Sequence, residues 1–69
     1  MTMKQARVGA NMTQAETAAR MGVSVATYNK YEAAPHKMKI KDAVAFCRAV
    51  GVSLDVVDFV QDNDIFFKN

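Results

Sequence analysis

The sequence predicts an all-α domain of five short helices followed by a short C-terminal tail. Three observations lead there. Apolar residues recur at three- and four-residue spacing, as in Ile40, Ala43, Val44, Cys47 and Val50. Hydroxyl residues stand where helices would begin, at Thr13, Ser24 and Ser53, and glycines stand where they would end, at Gly22 and Gly51. A chain of 69 residues that is 51% hydrophobic and holds one cysteine has room for one small domain, stabilised by helix packing rather than disulfides. Residues 1–60 read as that domain and residues 61–69 as its tail.

The first helix covers Met3 to Ala10, with Met3, Ala6, Val8 and Ala10 interleaved by Lys4, Gln5 and Arg7. It stops near Gly9–Asn11, where asparagine tolerates a left-handed turn. Thr13-Gln14-Ala15-Glu16 is a capping box that starts the second helix, with Met12 placed to staple the entry. Alanine-rich Gln14–Met21 continues it and Gly22 ends it. Ser24 caps the third helix, Val25 to Ala33, on which Tyr28 and Tyr31 share a face as a core and an edge residue. Pro35 closes that helix, because the residue before a proline is driven out of the helical region. A basic loop, Pro35–Lys39, leads to the fourth helix, whose apolar stripe runs Ile40, Ala43, Val44, Cys47, Val50 with Phe46 at its edge. Ser53 caps a fifth helix ending near Val60, with Asp55 at its positive end. Gln61–Asp64 is turn-like, and Ile65-Phe66-Phe67 is an apolar run that either docks on the domain or lies in a protein interface.

Composition excludes several function classes. One cysteine and one histidine give no metal-ligand set, and Cys47 sits in an apolar stripe as a small hydrophobe. Asp62-Asn63-Asp64 lacks the glycine and terminal glutamate of a calcium loop. Asp55 and Asp58 have no cleft around them. No cofactor, no metal, no small-molecule substrate and no enzymatic activity are expected. No run of eighteen apolar residues exists, and MTMKQARVGA lacks a signal peptide's apolar stretch, so the expected location is cytoplasmic, without a membrane partner. The net charge of +2 is unevenly spread. Residues 1–50 hold eight Lys/Arg against three acids, giving +5, and residues 51–69 hold one lysine against four aspartates, giving −3. A basic body suits a polyanion partner.

The richest signal is Met12–Tyr31: a capped helix, a glycine-centred turn and a second capped helix. Small residues at Ala15, Ala18 and Ala19 let the two helices cross closely, and Val23 and Tyr28 are placed to pack beneath the turn. This is a helix-turn-helix, which projects its second helix outward to fit a major groove about 12 Å wide.

The run Met12-Thr13-Gln14-Ala15-Glu16-Thr17-Ala18-Ala19-Arg20-Met21-Gly22-Val23-Ser24 resembles the Cro/repressor helix-turn-helix family. The resemblance continues through Tyr28-Asn29-Lys30-Tyr31-Glu32 and Ala49-Val50-Gly51-Val52-Ser53-Leu54-Asp55, and covers roughly residues 3–60. It implies a lambda-repressor-like fold and a small temperate-phage switch protein of the bacterial host cell. It also implies roles. Gln14 contacts DNA phosphate. Glu32 pairs with Arg7 in a partly buried structural ion pair. Val25, Ala26, Asn29 and Lys30 read bases, with Ser24 and Thr27 on phosphate. Many family members carry glutamines where this chain has Val25 and Ala26, which can contact only thymine methyls. Hydrogen-bonding readout then rests on Asn29 and Lys30. Where relatives often have Asn-Gly, this chain has Ala33-Ala34-Pro35-His36, so His36, Lys37 and Lys39 are expected to supply the phosphate contacts, with modest affinity. The leading expectation is a regulator of double-stranded operator DNA, acting as a homodimer. The alternative is an antirepressor that binds a partner repressor, with Ile65, Phe66 and Phe67 as the candidate protein interface.

Overall fold

The computed structural model describes residues 1–60; the tail, with Asp62–Asp64 and Ile65, Phe66 and Phe67, lies outside the described residues. Four α-helices and two 3₁₀ turns make up the described chain. They are α1 (Met3–Gly9), α2 (Gln14–Met21), α3 (Val25–Ala33) and α4 (Ile40–Val50), with 3₁₀ turns at Pro35–Lys37 and Leu54–Val56.

Local chemistry explains most boundaries. Thr13 accepts from the Glu16 N–H at 3.0 Å, and the Glu16 carboxylate accepts from the Thr13 N–H at 2.9 Å. This closes the capping box and satisfies two otherwise unpaired donors. The backbone and hydroxyl of Thr13 hold the Glu16 carboxyl below the usual carboxylate range. Gly22 ends α2 at φ 75°, a left-handed conformation that side chains other than glycine adopt at a cost. Ser24 caps α3 by accepting from Thr27 N–H at 3.1 Å, and Gly51 ends α4 at φ 76°. Asn11, at φ 58°, makes the left-handed turn after α1. A second capping box, not expected from the sequence, starts α1: Thr2 and Gln5 exchange bonds at 3.0 and 2.8 Å.

The expected fifth helix is instead the single 3₁₀ turn Leu54–Val56. Ser53 makes no capping hydrogen bond, and Val57 leaves the turn in an extended conformation, φ −105°, ψ 133°. Two distant interactions account for this. Val57 is drawn into the core, and the Asp58 N–H donates to the Met1 carbonyl at 2.7 Å instead of to a helical partner. The β-branched pair Val56-Val57 also suits extended backbone.

Met3, Ala6, Met12, Ala18, Tyr28, Phe46, Cys47, Val50 and Val57 form the core. Phe46 is its centre rather than the edge of its stripe, with no exposed surface, while Ile40 is 79% exposed. The Phe46 ring stacks near Tyr28, with centroids 6.2 Å apart, and meets Phe59 edge-on at 6.3 Å. Of the three small residues on α2, only Ala18 is buried; Ala15 and Ala19 face outward. Thr17 is fully buried, its hydroxyl satisfied by the Thr13 carbonyl at 2.9 Å. Burial raises the pKa of the Cys47 thiol, consistent with a packing role.

Candidate nucleic-acid interface

The turn between α2 and α3 is held by backbone. Gly22 N–H donates to Ala19 O at 3.2 Å and Val23 N–H to Ala18 O at 3.0 Å, which wraps the chain back on itself. Ser24 then starts α3 with its own hydroxyl. The consequence is a helix with one fully buried side chain, Tyr28, and a continuous exposed face. Val25, Ala26, Asn29 and Lys30 all lie on that face, at spacings of one and four residues, followed by Ala33. Val25 leaves 43% of its surface in water. Ser24 is exposed at the helix start, and Thr27 is half-buried beside it.

Behind this face lies a polar cluster that joins three helices. Arg7 of α1 donates from Nε to Glu32 of α3 at 2.7 Å, both side chains being about one-tenth exposed, at 10% and 11%. Its Nη1 also donates to the Met12 carbonyl at 2.9 Å, tying down the entry to α2. The Tyr28 hydroxyl donates to the same Glu32 oxygen that Arg7 contacts. Gln14, first residue of α2, donates from Nε2 to the other Glu32 oxygen at 3.2 Å. A carboxylate is acceptor-only, so this contact orients the Gln14 amide with its nitrogen toward α3. The second Nε2 hydrogen remains for a partner at the α2 N-terminus. Burial opposes the Glu32 charge, but the bonds from Arg7, Tyr28 and Gln14 outweigh it and hold the carboxyl below its ordinary value. The bond to Glu32 likewise raises the Arg7 guanidinium. Burial, reinforced by Glu32, pushes the Tyr28 phenol upward, so it stays a donor.

Sequence reasoning paired Arg7 with Glu32 but missed Tyr28 and Gln14 as its companions. Tyr28 and Glu32 stand four apart on one helix, a spacing that signals the contact. It also missed how the far end of α3 is fixed. The Tyr31 hydroxyl donates to Asp42 of α4 at 3.2 Å, and burial followed by Asp42 raises the Tyr31 phenol. Arg20 Nη1 ties α2 to α4 through the Ala49 carbonyl at 3.2 Å.

The basic loop divides. Lys37 joins Lys30, Tyr31, Ala33 and Ala34 around a shallow depression of about 410 Å³ at the end of α3. His36 borders a separate apolar groove. Lys39 is exposed just before α4. Among the described residues no three His, Cys, Asp or Glu side chains converge as metal ligands, and no helix is long and apolar enough to cross a membrane. The arrangement is thus a rigidly backed, exposed helix with lysines at its end and an amide beside its start. Such a surface can enter a groove of duplex DNA and touch phosphates on either side.

Comparison with known proteins found no match among curated proteins or solved structures. A helix-turn-helix family model, however, matches residues 3–57, most of the chain. The chain therefore belongs to the helix-turn-helix family, in keeping with its resemblance to Cro/repressor regulators.

Proposed function

We propose that this protein is a transcription regulator that binds operator DNA through α3, as a small phage-type switch protein of the Cro kind. The observation that carries the reading is the outward face of α3. Val25, Ala26, Asn29 and Lys30 are exposed together, and no described side chain bonds to Asn29 or Lys30. Val25 and Ala26 would contact thymine methyls, Asn29 an adenine edge and Lys30 a guanine edge. Gln14, Ser24, Thr27, His36, Lys37 and Lys39 would hold phosphates and set the register. A homodimer would lay two such helices in successive major grooves, about 34 Å apart, on a pseudo-palindromic site and block polymerase by occupying it.

The test is selection of bound duplexes from a random library, followed by titration of the selected site against salt. A palindromic consensus with steeply salt-dependent affinity supports the proposal. A salt-independent affinity, or no enrichment over the input library, refutes it. The apolar start of α3, with Val25 43% exposed, favours a second reading in which the chain antagonises a partner repressor. Under that reading the protein alters the repressor's operator occupancy while showing no site preference alone. A repressor that elutes unchanged in its presence refutes it.

A further inference from the structure

Away from the α2–α3 face, the described surface carries an apolar groove of about 200 Å³. It opens between the Pro35–Lys37 turn, the start of α4 and the segment 54–60, with Pro35, Met38, Ile40, Leu54, Phe59 and Val60 among its walls. Ile40 is 79% exposed, Val60 51% and Leu54 45%, so three large apolar side chains cluster in water. A domain this small has a thin core, and an apolar cluster left outside it calls for a cover.

We propose that this groove seats the chain's own Ile65-Phe66-Phe67 segment, folded back on the same molecule. The described chain ends at Val60, itself on the groove wall, so the remaining nine residues start at the rim. Only Ile65, Phe66 and Phe67 among those nine are apolar. With four residues between them, Gln61-Asp62-Asn63-Asp64, Ile65 lies at most about 18 Å from Val60 when the chain is extended, which confines it to the neighbourhood of the groove. Their Asp and Asn content is that of a chain reversal. The volume fits the occupant: an apolar cavity of about 150 Å³ holds a benzene molecule, so this groove takes one phenylalanine ring. Charge agrees as well. Asp62 and Asp64 precede the apolar run and Lys68 follows it, while Lys37 and Lys39, beside His36 on the wall, are exposed cations that suit the acidic approach to the run. A short tether gives an effective concentration in the millimolar range, so the chain's own segment outcompetes that of a second copy. None of this depends on DNA binding.

The test uses the full chain in solution. Nuclear Overhauser contacts from the Phe66 and Phe67 rings to the Ile40 and Leu54 methyls are expected. They should be absent from isotope-filtered spectra of mixed labelled and unlabelled chains, which register only contacts between molecules. Phe66→Ser should shift the Ile40 and Leu54 methyl signals. Ile40→Lys, at a position too exposed to disturb the core, should shift the Phe66 and Phe67 ring signals. Missing ring–methyl contacts overturn the proposal. So do contacts in the filtered spectra, which mean exchange of segments between copies. Ile40 and Leu54 signals that ignore Phe66→Ser but move with protein concentration overturn it too, because a second copy then covers the groove.

Discussion

Replacing Arg7 by alanine should destabilise the domain by about 3 kcal/mol at neutral pH. The figure follows from what the side chain leaves behind. Removing one partner of a buried ion pair costs about 3–5 kcal/mol, because the other charge stays buried without compensation. Glu32 keeps two donors, Tyr28 and Gln14, and a tenth of its surface, which places the cost at the low end of that range. The Met12 carbonyl also loses its Nη1 donor. A domain of 69 residues has about 3–10 kcal/mol in total, so the substitution removes a large share. The assay is urea denaturation followed by circular dichroism, with the midpoint compared at constant slope. The pH dependence has a definite sign. In the wild type the Glu32 carboxyl is lowered, so its contribution is present above the unfolded-state value and is lost as pH falls through the folded one. In Arg7→Ala the first of the lowering bonds is gone, so Glu32 takes up its proton at higher pH than in the wild type and acid costs the variant less. The gap between the two proteins should therefore narrow from pH 7 to pH 4. Arg7→Met combined with Glu32→Leu should recover most of the loss, since apolar replacement of both partners leaves no buried charge. An unchanged midpoint in Arg7→Ala, or a double variant as unstable as the single one, refutes the reasoning.

Lys30→Ala should flatten site preference by about 1–3 kcal/mol at one position, whereas Lys39→Ala should weaken all duplexes alike and reduce the salt slope by about 1 per protomer. Competition binding across variant sites at two salt concentrations separates the two effects. Gly22→Ala should lower stability by about 1–2 kcal/mol through backbone strain alone, because Gly22 is left-handed and an added Cβ meets nothing within 4 Å. Its selected DNA site should be unchanged. Phe46→Ala should cost about 3–5 kcal/mol in the same denaturation assay, as expected for the fully buried centre of the core.

The parts of the fold legible in the sequence are those decided within a few residues. The Thr13–Glu16 box, the Ser24 cap, the left-handed Gly22 and Gly51 and the break before Pro35 depend on side chains next to the backbone they satisfy. Positions decided by distant partners were not legible. Residues 53–60 carry a helix's cap and spacing, but Val57 is claimed by the core and the Asp58 N–H by Met1, fifty-seven residues earlier. Ile40 and Phe46 both fit a helical stripe, and only the placement of α4 against Tyr28 and Phe59 decides which is inside. Of the candidate site, helical spacing sets Val25, Ala26, Asn29 and Lys30 apart from the Tyr28 face of α3, and the family resemblance is what marks them as candidate site residues. The bonds from Tyr28 and Gln14 to Glu32 require knowing how α2 crosses α3.

That crossing matters more for α3 than for its neighbours. An ordinary surface helix is oriented by its apolar stripe. Here α3 buries only Tyr28 fully, with Tyr31 part-buried against the core, and so narrow an apolar contact constrains rotation about the helix axis weakly. Rotation by one residue is about 100°, enough to replace Asn29 and Lys30 on the outer face with other side chains. Directional bonds supply the missing constraint. Glu32 is gripped from α1 and α2, and Tyr31 is held by Asp42 of α4, so the last turn of α3 is fixed from three sides. The polar cluster therefore contributes to orientation as well as to stability, and orientation is what decides which residues α3 presents.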